Sequence, residues 1–110
     1  MPLLSITVDE TVWQNRKDDM TSALPKIREM LCNKLDVGQE FASLTLTPVF
    51  GLTDQTKVNG DLRVLGKESR GPEVLQDVAT TLQTMLSEAA ADHASVRITT
   101  MDPAKYMAKR

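Results

Sequence analysis

The chain has 110 residues, 41% hydrophobic and 25% charged, an ordinary globular balance with length enough for a single core. Thirteen basic against fifteen acidic residues leave a net charge of −2, so bulk charge argues for neither nucleic acid nor a membrane surface as partner. One cysteine, Cys32, excludes an internal disulfide framework, and with one histidine, His93, it excludes a zinc site of the usual kind.

The reading is a single domain over residues 1–110. No apolar run reaches ~18–20 residues and no signal-type start is visible. A cytoplasmic location fits the lone cysteine, and export without a leader is also compatible. Trp13 and Tyr106 lie outside any basic strip, so single-strand binding has little support.

The chain opens with Met1-Pro2. Proline has no N–H for a ladder and is tolerated at a strand's first position or edge. Leu3 to Val8 predicts a first strand. A small second residue also lets aminopeptidase remove Met1, which would leave a proline secondary amine at the end of that strand. A free α-amino group titrates at roughly 7.7–8. Burial disfavours its cation and would make it a neutral base near pH 7.

Asp9 predicts a helix N-cap. Trp13, Met20, Leu24, Ile27, Leu31 and Leu35 then recur at steps of three, four or seven, one face of a helix. Pro25 inside this run predicts a kink, or a restart with Ser22 as second cap. Lys34, Asp36 and Gly38 mark the end. Cys32, near the apolar face, reads as a packing residue.

Phe41 to Val49 predicts the second strand, with Ala42, Leu44 and Leu46 on one side, Ser43, Thr45 and Thr47 on the other, and Pro48 as its stop. Phe50 to Gly60 reads as a turn-rich connection, and Leu62 to Leu65 as a short third strand. In the polar loop Gly66 to Gly71, Lys67 and Arg70 read as solvated, although they adjoin a helix N-terminus able to attract anions. Pro72 to Ala90 predicts the second helix, with Leu75, Val78, Leu82, Met85, Leu86 and Ala89 as its buried stripe. His93 falls in an exposed loop. A fourth strand begins at Ser95 and stops at Asp102-Pro103, and Ala104 to Arg110 reads as a solvated tail.

The order is β-α-β twice over, an α/β (α+β) domain with a four-stranded sheet and two helices on one face. Two arrangements satisfy it. In a ferredoxin-like domain the strands interleave in an antiparallel sheet. In the other, each β-α-β unit is a parallel pair, and the two units are related by a pseudo-twofold. Pattern alone leaves both open.

Met1-Pro2 leading directly into a strand, Ala42 to Pro48 as a second strand ending in proline, Leu62 to Lys67 before a glycine-containing loop, and Val96 to Asp102 as a strand closing on an acid occur here in sequence. In that order and spacing the chain resembles the tautomerase superfamily, and most of all its macrophage migration inhibitory factor branch. The resemblance implies the pseudo-twofold fold, a homotrimer, and an N-terminal proline acting without a cofactor as acid or base in keto–enol tautomerisation. Pro2 matches the catalytic position. Leu65 matches the residue whose backbone N–H borders the pocket. Lys34 is a possible match to the pocket lysine. Arg97 and Thr99 stand where the branch has a tyrosine and an asparagine, contributed across the subunit interface.

Enolisation needs a base near pH 7 and a positive group for the developing enolate oxygen. A rigid proline amine suits the first role. Arg97 could clamp a carboxylate bidentately, where a tyrosine could not. The expected substrate is therefore a small keto–enol or unsaturated carboxylic acid. Replacement of the branch's tyrosine and asparagine also motivates an alternative, a trimeric binding protein with weak or vestigial catalysis. A ferredoxin-like interaction module is the third reading.

Overall fold

The computed structural model describes residues 2–109. Apolar residues at alternate positions make β1 (Leu3–Asp9): Leu4, Ile6 and Val8 are buried on one side, and Leu3, Ser5 and Thr7 face the other. Asp9 closes the strand and starts helix α1 (Glu10–Leu35), its carboxylate accepting from the Thr11 N–H at 3.0 Å and the Thr11 hydroxyl at 2.7 Å. Strand β2 (Ser43–Val49) lies parallel to β1, with Leu3 opposite Ser43. Strand β3 (Val58–Leu65) lies antiparallel to β1 on its other side, with Leu3 opposite Arg63. Helix α2 (Pro72–Ala90) then returns the chain to β4 (Ala94–Met101), parallel to β3.

The sheet order is β2-β1-β3-β4. Two parallel β-α-β pairs thus meet back to back through the antiparallel β1–β3 seam, and the interleaved ferredoxin-like alternative is excluded. Both helices cover one face. Ile27, Leu31 and Leu35 of α1 and Val78, Leu82 and Leu86 of α2 are buried there with Leu4, Ile6, Val58, Leu62 and Val64 of the sheet. The opposite face carries Ser5, Thr7, Thr45, Asn59, Asp61, Arg63, Arg97 and Thr99. Among the described residues no helix is long and apolar enough to cross a membrane.

Several local expectations need correction. No kink or restart occurs at Pro25 or Ser22. Pro25 sits inside α1 with an exposed ring, and the one non-helical conformation is at Arg16 (φ −126°, ψ 16°). On the solvent side a helix can tilt a carbonyl towards water and so accommodate a proline ring. Arg16 instead donates from Nε to the Ala89 carbonyl at 3.1 Å, tying α1 to the last turn of α2. Strand β2 starts at Ser43, because Gln39–Phe41 forms a 3-10 turn, and it runs through Pro48 to Val49. Proline is tolerated there because β2 is an edge strand.

Strand β3 starts at Val58, four residues before the expected Leu62. Asn59 and Gly60 read as turn formers, but alternation continues through them, with Val58, Gly60, Leu62 and Val64 buried. Gly60 is closely covered: a Cβ there would stand 3.0 Å from Leu86 Cδ1, tighter than an ordinary contact unless that side chain shifts. Strand β4 begins one residue early, at Ala94. The tail forms a second 3-10 turn, Pro103–Lys105, capped by Asp102, and Tyr106 after it is half-buried rather than solvated.

Candidate functional site at the Pro2 end of the sheet

The topology gathers six chain segments at one end of the sheet. Because β1 and β2 start there and β3 and β4 finish there, Pro2, the turn before Ser43, Leu65 and Met101 converge. The C-terminus of α1 and the N-terminus of α2 arrive at the same end. Pro2 is buried, and its carbonyl accepts from the Ser43 N–H at 3.1 Å. Since Leu3 pairs with Arg63, Pro2 stands beside Val64, one step from Leu65. Alternation turns its ring to the helix side, with Leu4 and Ile6. Met1, whose removal the proline-amine expectation requires, lies outside the described residues.

Leu65 ends β3 with its neighbourhood fixed on two sides. The Gly66 N–H donates to the Met101 carbonyl at 2.9 Å, and the Leu65 carbonyl accepts from Arg70 Nη1 at 2.6 Å. Arg70 corrects the sequence reading most sharply. Expected in solvent, it is only 5% exposed, and its Nη2 reaches the Leu35 carbonyl in the last turn of α1 at 3.3 Å. Its Nε is buried with no partner. One guanidinium thus joins the end of β3, the end of α1 and the residue before Gly71, the α2 N-cap, which has no side-chain cap of its own. No local signal separates Arg70 from its exposed neighbours Lys67, Glu68 and Ser69. Burial here follows from three chain ends meeting, which a linear pattern does not register.

The other three candidates lie apart from Pro2 within one chain. Lys34 Nζ pairs with Asp77 Oδ2 of α2 at 2.6 Å, half in solvent. Arg97 and Thr99 project from β4 on the uncovered face, where Arg97 is opposite Asp61 and Thr99 opposite Arg63. That is the face away from the Pro2 ring, two strands distant from β1. No ion pair joins Arg97 to a described carboxylate, so Asp61 is its register partner only. Between Arg97, Asp61, Ser5, Thr7 and Asn59 lies an open polar cleft. Cys32 is buried, and burial raises its thiol above the ordinary value, as suits a packing residue. His93 is exposed in the turn before β4.

Neither a protein-family model nor a curated protein matches the chain. Solved structures do. A macrophage migration inhibitory factor-like protein from Entamoeba histolytica superposes with a TM-score of 0.66 at 10% identity, over 98% of this chain and 95% of that one. A fused 4-OT matches with a TM-score of 0.75 at 10% identity, over 96% and 91%. A malonate semialdehyde decarboxylase inhibited by 3-bromopropiolate matches at 0.64 and 14% identity, over 96% and 87%. These are tautomerase-superfamily structures, and the chain has their fold.

Proposed function

We propose, from the tautomerase fold and the contents of the Pro2 end, that this chain is a cofactor-free tautomerase-like isomerase. Its substrate is a small keto–enol or unsaturated carboxylic acid. Once Met1 is removed, the Pro2 amine takes the proton next to the carbonyl and returns it at the second position, so no net proton is consumed. The enolate oxygen formed between the two steps needs a donor held in place beforehand. The backbone at Leu65, braced by Arg70 and Met101, is the candidate for that role. The observation that carries this reading is the burial of Pro2 one register step from Leu65, whose carbonyl is held by the buried Arg70 guanidinium.

The cations divide by distance. Among the described cations at this end Arg70 alone is buried, and it would draw the substrate carboxylate. Arg97 and Thr99 face away from their own Pro2, so they serve only if another copy presents them, which ties their role to a homotrimer. Lys34 would have to leave Asp77, an exposed pair worth about 0–1 kcal/mol and therefore easily exchanged.

Mass spectrometry of the N-terminus and an enol-to-keto assay test the proposal together. The processed chain is expected to accelerate ketonisation of a small enol acid, and Pro2→Ala to lower kcat/KM by about 10²–10⁴-fold. Equal activity in Pro2→Ala ends the mechanism.

A further inference from the structure

Register lays out the uncovered face of the sheet in rows. Ser5, Asp61 and Arg97 stand side by side on β1, β3 and β4, and Thr7, Asn59 and Ser95 form the next row. Neighbouring strands lie about 4.8 Å apart and alternate residues about 6.8 Å, so these six side chains share one small patch. The connection before β3 walls one end of it. Asn59 Nδ2 donates to the Thr56 carbonyl at 3.3 Å, which holds Thr56 and Gln55 at the rim. The result is a cleft of about 630 Å³, room enough for a small molecule, and every side chain lining it is polar. An apolar or aromatic ligand finds nothing there to bury against.

The two charges of this cleft are not spent on each other. Asp61 and Arg97 are neighbours in the ladder, yet among the described residues no ion pair joins either to any group. Arg63, next along the same face of β3, is exposed and likewise unpaired. Asp61 is half-buried on an inner strand, and Arg97 is exposed on the outermost one. A carboxylate that only accepts thus lies on the floor, and a guanidinium that only donates stands at the rim.

We propose that this cleft binds a polar α-amino acid, apart from the Pro2 end. Such a molecule carries an ammonium and a carboxylate on one carbon. Set between the two side chains, its ammonium donates to the Asp61 carboxylate, and its carboxylate accepts two hydrogen bonds from the Arg97 fork. The hydroxyls of Ser5, Thr7 and Ser95 and the Asn59 amide are left for a polar side chain, since each can both donate and accept. A plain acid meets Arg97 but brings a second carboxylate towards Asp61. A plain amine meets Asp61 and leaves Arg97 unused. Recognition therefore lies in the pair of opposite charges, and no step at Pro2 enters it. Where another copy takes Arg97 for its own Pro2 end, the cleft loses its carboxylate partner, so the two uses of Arg97 exclude each other.

L-glutamine is the probe, added to ¹⁵N-labelled protein and followed through backbone amide shifts. Saturable shifts are expected at Ser5, Asp61, Ser95 and Arg97. N-acetyl-L-glutamine, which lacks the ammonium, and L-glutamine amide, which lacks the carboxylate, should each bind about 10–100-fold more weakly. Asp61→Asn and Arg97→Gln should weaken L-glutamine binding by as much, and Pro2→Ala should leave it unchanged. The absence of saturable shifts with L-glutamine overturns the proposal. So does equal binding of N-acetyl-L-glutamine, or of gluconate, a polyhydroxylated acid without an ammonium. Loss of binding in Pro2→Ala overturns the separation from the Pro2 end. If a cleft variant does not fold, the wild-type comparison of the three glutamine compounds still decides.

Discussion

Among the described residues Asp9 and Arg70 are the two buried charged ones, and they sit at opposite ends of β1. Asp9 was legible because capping is local: an acid between an apolar strand and an amphipathic run has one economical use. The Thr11 hydroxyl and then its N–H, helped by the Lys57 charge, hold its carboxyl below the ordinary 3.8 against a smaller opposing effect of burial. A lowered carboxylate pKa contributes stability that is complete above 3.8 and is lost as pH falls through the folded value. Asp9→Ala is therefore expected to be less stable than wild type at neutral pH, with the gap narrowing as pH falls below 3.8. Urea titrations at several pH values measure this, and a gap independent of pH would show that the carboxylate charge is not involved. Arg70 was illegible because its partners, Leu35 and Leu65, lie 35 and 5 residues away and offer only backbone oxygens. Backbone carbonyls leave no mark in a sequence.

Helix α2 has the expected proline start and bounds; of its expected stripe Val78, Leu82 and Leu86 are buried, Leu75, Met85 and Ala89 only partly, and Ala90 is buried as well. Strand β3 departs from its expected start, and Gly60 is the reason. Glycine is read as a turn former because of its backbone freedom, yet here it fills a core position under Leu86. Gly60→Val is expected to cost about 1–3 kcal/mol by overpacking, measured by urea denaturation. A change near zero would mean that α2 lifts off the sheet without resistance. The Pro25 expectation failed in the converse way. Proline usually breaks a helix, but here its ring is on the exposed side of α1, where the neighbouring carbonyl has water to turn to.

Seen whole, the molecule has one dry face and one wet one. The helices cover the first; the second presents hydroxyls with Asp61, Arg63 and Arg97. Both outer strands have open edges, and Phe50 and Leu52 stand 87% and 69% exposed in the connection after β2. If the homotrimer implied by the resemblance forms, sedimentation equilibrium should give about three times 12.2 kDa. A monomer would take Arg97 and Thr99 out of any site containing Pro2, since one chain holds them on the far side of its own sheet.

The sequence by itself determined the number, kind and order of the main elements, and it marked Pro2 as the residue to watch. Those properties follow from periodicity and end chemistry, which act over a few neighbouring residues. Only the tertiary structure decided between the two sheet orders, carried β3 through Gly60, and brought Arg70 out of water to the side of Leu65. Each of those depends on which surfaces meet across the fold, and contact between segments distant along the chain is written in no single segment.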